Sequence, residues 1–124
     1  VERLHATARE AAEQSRRLSI PAVIEPRALE DICATWPDGR TLVYLDESGA
    51  GLPLAAALEP IIEAPLAFVI GPEGGFAPGE LDALGKLPFS VGADLGPRIL
   101  RAETAVTAAL AIRQGIADLK KHIA

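Results

Sequence analysis

The chain of 124 residues has no methionine, a single cysteine and few aromatic side chains, which make up 4% of the sequence. Cys33 alone cannot form an internal disulfide, and no group of Cys and His residues has metal-site spacing, so we expect neither a disulfide nor a metal. The scarcity of aromatic rings argues against a nucleic-acid surface built on stacking. The formal net charge of −5 argues against a generally basic RNA-binding module.

Long apolar runs are also missing from the sequence. No run approaches the roughly eighteen residues that a membrane span needs, and the N-terminal segment has the charge pattern of a helix rather than of a signal peptide. We therefore expect a cytoplasmic protein without a membrane partner. The length favours one domain over residues 1–124.

Short apolar runs alternate with helical patterns along the chain. The run Leu66–Ile70 follows Pro65 and is typical of a central parallel strand. This alternation predicts an α/β fold with a parallel sheet and helices on both faces. The predicted helices span residues 2–18, 27–35, 78–86 and 102–121, the predicted strands span 23–24, 41–45, 66–70 and 88–91, and residues 54–58 are ambiguous. The apolar stripe predicted on the last helix consists of Val106, Ala109, Leu110, Ile116, Leu119 and Ile123.

Two glycine-bearing segments follow predicted strands. They are Ile70-Gly-Pro-Glu-Gly-Gly75 and Leu95-Gly-Pro-Arg-Ile-Leu-Arg-Ala-Glu-Thr-Ala105. Glycine at a strand end lets the backbone approach a ligand, and ligands of α/β sheets bind outside the carboxyl ends of the strands. The two segments therefore favour one shared pocket, although a simple turn is the more common role of such glycines.

The composition of these segments excludes several kinds of site. The first lacks the Lys-Ser/Thr of a phosphate-binding Walker loop and the spacing of a dinucleotide-binding loop. No Ser or Cys nucleophile has a nearby His as base, so covalent hydrolysis is not expected. Arg98, Arg101 and Glu103 allow two interpretations: an acid at a helix N-terminus with Arg–Glu pairing, or an arginine-lined pocket for a polyanion.

Three ordered motifs carry a resemblance that covers almost the whole chain. Besides the two glycine segments, Glu10-Ala-Ala-Glu-Gln-Ser-Arg-Arg17 followed by Pro21 is similar to an E-A-x-E-Q-S-x-R-x-x-x-P motif. Together they resemble the bacterial methyltransferase family that modifies N3 of a uridine in small-subunit ribosomal RNA, within the SPOUT superfamily. The family also carries an N-terminal RNA-binding barrel, so the resemblance implies that residues 1–124 are the catalytic domain without that barrel.

The resemblance implies a fold and a set of partners. The expected fold is an α/β domain with a deep trefoil knot at its C-terminal side, which holds S-adenosylmethionine in a bent conformation. The expected assembly is a homodimer with the ribosomal RNA site between subunits. The residues implied for the cofactor are Leu45, Ile70, Gly71, Glu73, Gly74, Gly75, Leu95, Gly96, Ile99 and Leu100.

The resemblance also implies roles in the reaction. Arg98 and Arg101 are candidates for stabilising the uridine oxygens or orienting a phosphate, and Arg17 for contacting RNA. Glu103 is a candidate base, although an acid at a helix N-terminus tends to be a weak base and a structural role is favoured. Two other functions stay open: a non-catalytic dimerisation or RNA-assembly module, and a domain that binds another adenosine-containing ligand.

Overall fold

A computed structural model describes the chain at residues 1–14, 19–48, 50–72, 75–96 and 101–123. The chain forms two compact units, Val1–Trp36 and Pro37–Ala124. None of the helices in the described ranges has the length and apolar character that a membrane span requires.

The first unit contains two helices, α1 (Glu2–Gln14) and α2 (Leu29–Ala34). Both lie inside predicted helical ranges, and the predicted continuation of α1 over residues 15–18 is outside the described residues. The carbonyl of Ala28 accepts hydrogen bonds from the first turn of α2, from Asp31 N and Ile32 N at 3.1 Å each. Cys33 on this helix is partly buried, and desolvation raises the pKa of its thiol.

The predicted strand at residues 23–24 is wrong. These residues form no strand, and the side chain of Ile24 is 76% exposed. A strand needs a partner for its backbone groups, and the described part of this unit contains none. Pro21 and Pro26 flank the segment and lack the N–H donor that a ladder requires.

The second unit is built on a four-stranded parallel sheet. Its strands are β1 (Thr41–Leu45), β2 (Leu52–Pro53), β3 (Leu66–Val69) and β4 (Ser90–Asp94), in the order β2-β4-β1-β3. β1 is central, since Val43 is paired with Phe68 of β3 on one side and with Val91 of β4 on the other. The predicted parallel α/β fold is therefore confirmed.

Helices cover both faces of this sheet. Val43 and Leu45 point to the face covered by α3 (Leu54–Leu58) and α5 (Ala102–Ile123), with which they form the main core. Tyr44 alternates to the other face, where its hydroxyl lies 3.4 Å from the place of a side chain at Gly85, the last residue of α4 (Pro78–Gly85). The segment that was ambiguous from sequence, residues 54–58, is thus a helix, and it continues as a 3-10 turn (Glu59–Ile61).

β4 begins two residues later than predicted. The segment before it forms a turn, in which the hydroxyl of Ser90 donates to the carbonyls of Leu84 and of Leu87, the latter at 2.9 Å. Pro88 has no N–H to offer a neighbouring strand, so the ladder starts only after the turn.

The stripe predicted on α5 is partly wrong. The helix buries Ala105 and Ala109 against the sheet, with Ile112 and Ile116 packed on the same core. Alanine lets the helix pack closely on this core, which includes residues of α3, whereas the pattern in the sequence gives most weight to large side chains. Four members of the predicted stripe are exposed instead: Val106, Leu110, Leu119 and Ile123. The predicted knot depends on the path of residues 97–100, which lie outside the described residues, so the knot stays a prediction.

Candidate functional site

Three loops leave the sheet at the same edge. They follow the carboxyl ends of β1, β3 and β4, and β1 lies between the other two. Because the strands are parallel, these loops are neighbours in space. The structure thus places predicted cofactor residues from all three loops along one edge: Leu45, Ile70, Gly71, Gly75, Leu95 and Gly96.

The loop after β1 packs on β4. Asp46 N donates to Ala93 O at 2.8 Å, and the Asp46 carboxylate, only 8% exposed, accepts from Ser48 N at 2.8 Å. A side chain at Gly51 would lie 2.9 Å from the backbone nitrogen of Ala93. This loop can therefore lie against β4 only because Gly51 has no side chain.

The loop after β3 closes on itself. Gly75 N donates to Pro72 O at 2.8 Å, and Gly75 has a φ of +79°, a conformation that favours glycine. A side chain at Gly71 would lie 3.1 Å from the backbone nitrogen of Phe76. A side chain at Gly71 would therefore crowd the backbone on the far side of this loop.

The loop after β4 begins with Leu95 and Gly96, which differ in their surroundings. Gly96 N donates to the Asp94 carboxylate at 2.8 Å, and Gly96 has a φ of +117°. Among the residues that the structure describes, no atom lies within 4 Å of the place where its side chain would stand, apart from its own chain neighbours. In contrast, the side chain of Leu95 packs against the core. This loop is thus anchored by Leu95 and leaves room beside Gly96.

Two of the predicted catalytic residues are described, at the start of α5. Arg101 and Glu103 are both exposed. The backbone of each takes part in the first turn, with Arg101 O accepting from Ala105 N at 2.9 Å and Glu103 O accepting from Thr107 Oγ1 at 3.1 Å. Within the described ranges, neither side chain forms an ion pair, so the Arg–Glu pairing that the sequence allowed is not seen there. The other predicted site residues lie outside the described residues: Arg17, Glu73, Gly74, Arg98, Ile99 and Leu100.

A groove of about 620 Å³ lies beside the site. It is formed by the edge strand β3, the segment before it and the exposed side of α5, and Ile70 connects it to the loop after β3. Its walls are mostly apolar, with two arginines. The lining residues are Arg40, Pro65, Leu66, Phe68, Ile70, Val106, Leu110 and Arg113.

Sequence reasoning did not single out Glu47 and Gly51 as individual site residues. They belong to the loop after β1, whose role depends on its contacts with β4 and with the loop after β3. The available signal was the segment Asp-Glu-Ser-Gly-Ala-Gly at residues 46–51, directly after a buried strand.

Comparison with known proteins identifies the family. The family model described as "RNA methyltransferase domain" matches residues 1–114. The chain belongs to this family.

Curated relatives are identical to this chain at about a third of the aligned positions. Proteins named ribosomal RNA small subunit methyltransferase E are 31% identical over 115 residues in Rickettsia conorii, 35% over 114 residues in Bacillus subtilis and 37% over 118 residues in Mycobacterium tuberculosis. These alignments cover 90%, 88% and 87% of this chain but 45%, 44% and 42% of the relatives. The chain therefore spans less than half the length of these relatives.

Solved structures have the same fold. The ribosomal RNA small subunit methyltransferase E of Neisseria gonorrhoeae, bound to S-adenosylmethionine, is similar with a TM-score of 0.76 and 27% identity, over 90% of this chain and 44% of that one. A probable rRNA methyltransferase of Porphyromonas gingivalis is similar with a TM-score of 0.69 and 28% identity, over 99% and 50% of the two chains.

Proposed function

We propose that this chain is the methyl-transferring domain of an S-adenosylmethionine-dependent enzyme that methylates N3 of a uridine in small-subunit ribosomal RNA. The observation that carries the proposal is the meeting of three loops at one edge of a parallel sheet in a member of the RNA methyltransferase domain family. The cofactor bound to the Neisseria gonorrhoeae relative supports the choice of S-adenosylmethionine.

The geometry of the loops fits such a cofactor. The space beside Gly96, which a side chain would fill, gives a ligand access to the backbone of the third loop. The side chains of Leu45, Ile70 and Leu95 lie in or against the core, so these residues would meet the ligand mainly through backbone groups. Gly71 and Gly75 would hold it together with residues outside the described ranges, Glu73, Gly74, Ile99 and Leu100.

Bound S-adenosylmethionine supplies an activated methyl group, and the chain has to orient the uridine and favour loss of its N3 proton. Lowering the pKa of a nucleobase by about two units requires roughly 2.7 kcal/mol of preference for the anion. An exposed charge pair contributes about 0–1 kcal/mol, whereas one charge-assisted hydrogen bond in a sheltered site contributes about 1.5–3 kcal/mol. We propose that Arg98 and Arg101 form such bonds to the uridine oxygens, and that Arg17 contacts RNA.

Arg101 is exposed in the single chain, so its hydrogen bond to the uridine reaches about 1.5–3 kcal/mol only if the guanidinium is shielded from solvent. We propose that bound RNA and a second subunit provide this shielding. Glu103 lies in the first turn of α5, where a negative charge interacts favourably with the helix dipole. We therefore favour a structural role for Glu103 at the helix N-terminus over a role as the catalytic base.

We also propose a homodimer that uses the exposed side of α5. Val106 and Leu110 are 41% and 54% exposed and line the groove beside β3, so a second copy would remove apolar surface from water. Leu110→Glu should convert the dimer to a monomer, measured as molar mass by light scattering after gel filtration. Ala111→Glu adds the same charge at an exposed position of α5 outside this groove and should leave the mass unchanged. A monomeric parent chain would contradict the proposal.

The first test of the function is cofactor binding. Calorimetry should give one site per chain for S-adenosylmethionine, and Gly96→Val should abolish binding because its side chain would fill the open space. Gly39→Val is the matched control, since Gly39 also has a positive φ, +80°, and open surroundings but precedes β1 at the opposite edge of the sheet. A folded parent chain that binds no S-adenosylmethionine would favour the non-catalytic module.

A further inference from the structure

Glu47 reaches from the loop after β1 to the loop after β3. Its carboxylate oxygen Oε2 lies 3.2 Å from the place where a side chain at Gly75 would stand. Gly75 is part of the loop that would hold the cofactor, so Glu47 occupies space that a larger residue at Gly75 would take. One carboxylate therefore lies beside Gly75, in the loop of the proposed site.

No cation compensates this carboxylate in the part of the chain that the structure describes. Glu47 is exposed and takes part in no ion pair or hydrogen bond of its side chain there. Its neighbour in sequence, Asp46, is a second acid, and Asp94 at the end of β4 is a third. Among the described residues, the loop ends of β1 and β4 therefore carry three carboxylates at this edge of the sheet.

Such an arrangement favours a cationic ligand over a neutral one of the same shape. Methyl donor and product differ in this way: S-adenosylmethionine carries a sulfonium, whereas S-adenosylhomocysteine has a neutral thioether, because the sulfur keeps both electrons of the broken S–CH3 bond. A carboxylate near the site attracts the first more strongly than the second, and the attraction is partly screened because Glu47 is exposed.

We propose that Glu47 is a specificity-determining residue that raises the preference of this site for the sulfonium donor over the neutral product. The inference rests on the proposed function. The position of the Glu47 carboxylate next to Gly75 places a negative charge at the proposed site. The donor carries one positive charge more than the product, so this carboxylate attracts the donor more strongly. The consequence is that the donor competes more effectively with the product for the free site.

The test compares the two ligands on a charge-neutral variant. Glu47→Gln keeps the shape of the side chain, and calorimetry measures the dissociation constants of S-adenosylmethionine and S-adenosylhomocysteine separately. We expect the constant for the donor to rise about two- to fivefold, as for an exposed charge pair, and the constant for the product to stay within about 1.5-fold. Glu63→Gln removes the same charge from the turn before β3, at the opposite edge of the sheet, and should change neither constant.

Ionic strength provides a second measurement that needs no variant. The donor-to-product preference of the parent chain should fall as salt is raised from 20 to 500 mM, and Glu47→Gln should flatten this dependence. Equal changes in both constants, or none, would show that Glu47 sets no selectivity and would overturn the inference while leaving the proposed function intact. A parent chain that binds neither ligand would overturn both.

Discussion

Gly92 and Gly96 lie close together in sequence, one inside β4 and the other just after it, but an added side chain would meet different surroundings at each. At Gly92 it would lie 2.9 Å from the ring of Tyr44, whereas at Gly96 it would meet no atom of the described residues within 4 Å. Gly92 has an ordinary strand conformation, and Gly96 has a φ of +117°.

The two glycines therefore have different structural roles. The absence of a side chain at Gly92 makes room for the Tyr44 ring, which is 9% exposed and packs between β4 and α4. The absence of a side chain at Gly96 leaves space open at the carboxyl edge of the sheet. One position belongs to the core and the other to the proposed binding site, although a sequence pattern marks both only as glycine.

Filling the space at Gly92 should have the largest effect on stability. Gly92→Ala forces the Tyr44 ring or the strand to shift, and overpacking of this kind costs about 1–3 kcal/mol. Urea unfolding measures the loss. Tyr44→Leu in the same chain should recover part of it, because the two residues are in contact and their effects are not additive. Full stability of Gly92→Ala would show that the ring is not confined by β4.

Gly96→Ala should destabilise the chain less, by about 1 kcal/mol, because only backbone strain and no collision opposes the new side chain. Gly39→Ala, at the other positive-φ position with open surroundings, should cost a similar amount of unfolding free energy. The two variants should differ in ligand affinity, with S-adenosylmethionine binding weakened at Gly96 alone. Equal affinities would mean that the space beside Gly96 is not used.

The central strand β1 could be predicted from sequence. The predicted range 41–45 matches β1 to the residue, because five apolar or β-branched residues in a row, Thr41 to Leu45, have one stable place in a parallel sheet. Residues 23–24 show the limit of this reasoning. They are apolar and extended-prone, but a strand is defined by its partner, and their own unit provides none in the described residues.

The sequence predicts which loops form the candidate site, but it does not predict the contacts between those loops. Glycines after apolar runs predicted Gly71, Gly75 and Gly96 at strand ends, and parallel topology places them together. The contact of Glu47 with Gly75 and the close approach of Gly51 to β4 join segments far apart in sequence. No local pattern encodes such distances, because they depend on how the strands are ordered in the sheet.

Charged side chains at the two ends of α5 should also differ in their effect on function: Arg101 lies at its start and Lys121 in its last turn. Arg101→Ala should lower the rate of methyl transfer about tenfold, because one charge-assisted hydrogen bond to the uridine is lost, and should leave S-adenosylmethionine affinity within a few-fold. Incorporation of tritiated methyl groups into small-subunit ribosomal RNA measures the rate. Lys121→Ala removes an exposed cation from the last turn of the same helix and should leave the rate unchanged. An equal loss of cofactor affinity in Arg101→Ala would mean that Arg101 shapes the pocket instead.

The smallest change in stability is expected at the start of α4, a helix that packs near Tyr44 in the core and not at the proposed binding site. Its N-cap is Ala77, whose side chain cannot accept a hydrogen bond, although the Glu80 side chain accepts one from Ala77 N at 2.9 Å. Ala77→Ser would supply the missing acceptor for the first turn and should raise the free energy of unfolding by about 0.5–1 kcal/mol. Thermal and urea unfolding measure the gain, and Glu80→Ala should reduce stability by a similar amount because Ala77 N then loses its partner.

Since α4 packs on Tyr44 and not on the open space beside Gly96, Ala77→Ser should not change S-adenosylmethionine affinity. A gain in stability accompanied by a change in that affinity would show that core and site are coupled through α4, and that the separation drawn between Gly92 and Gly96 is too sharp.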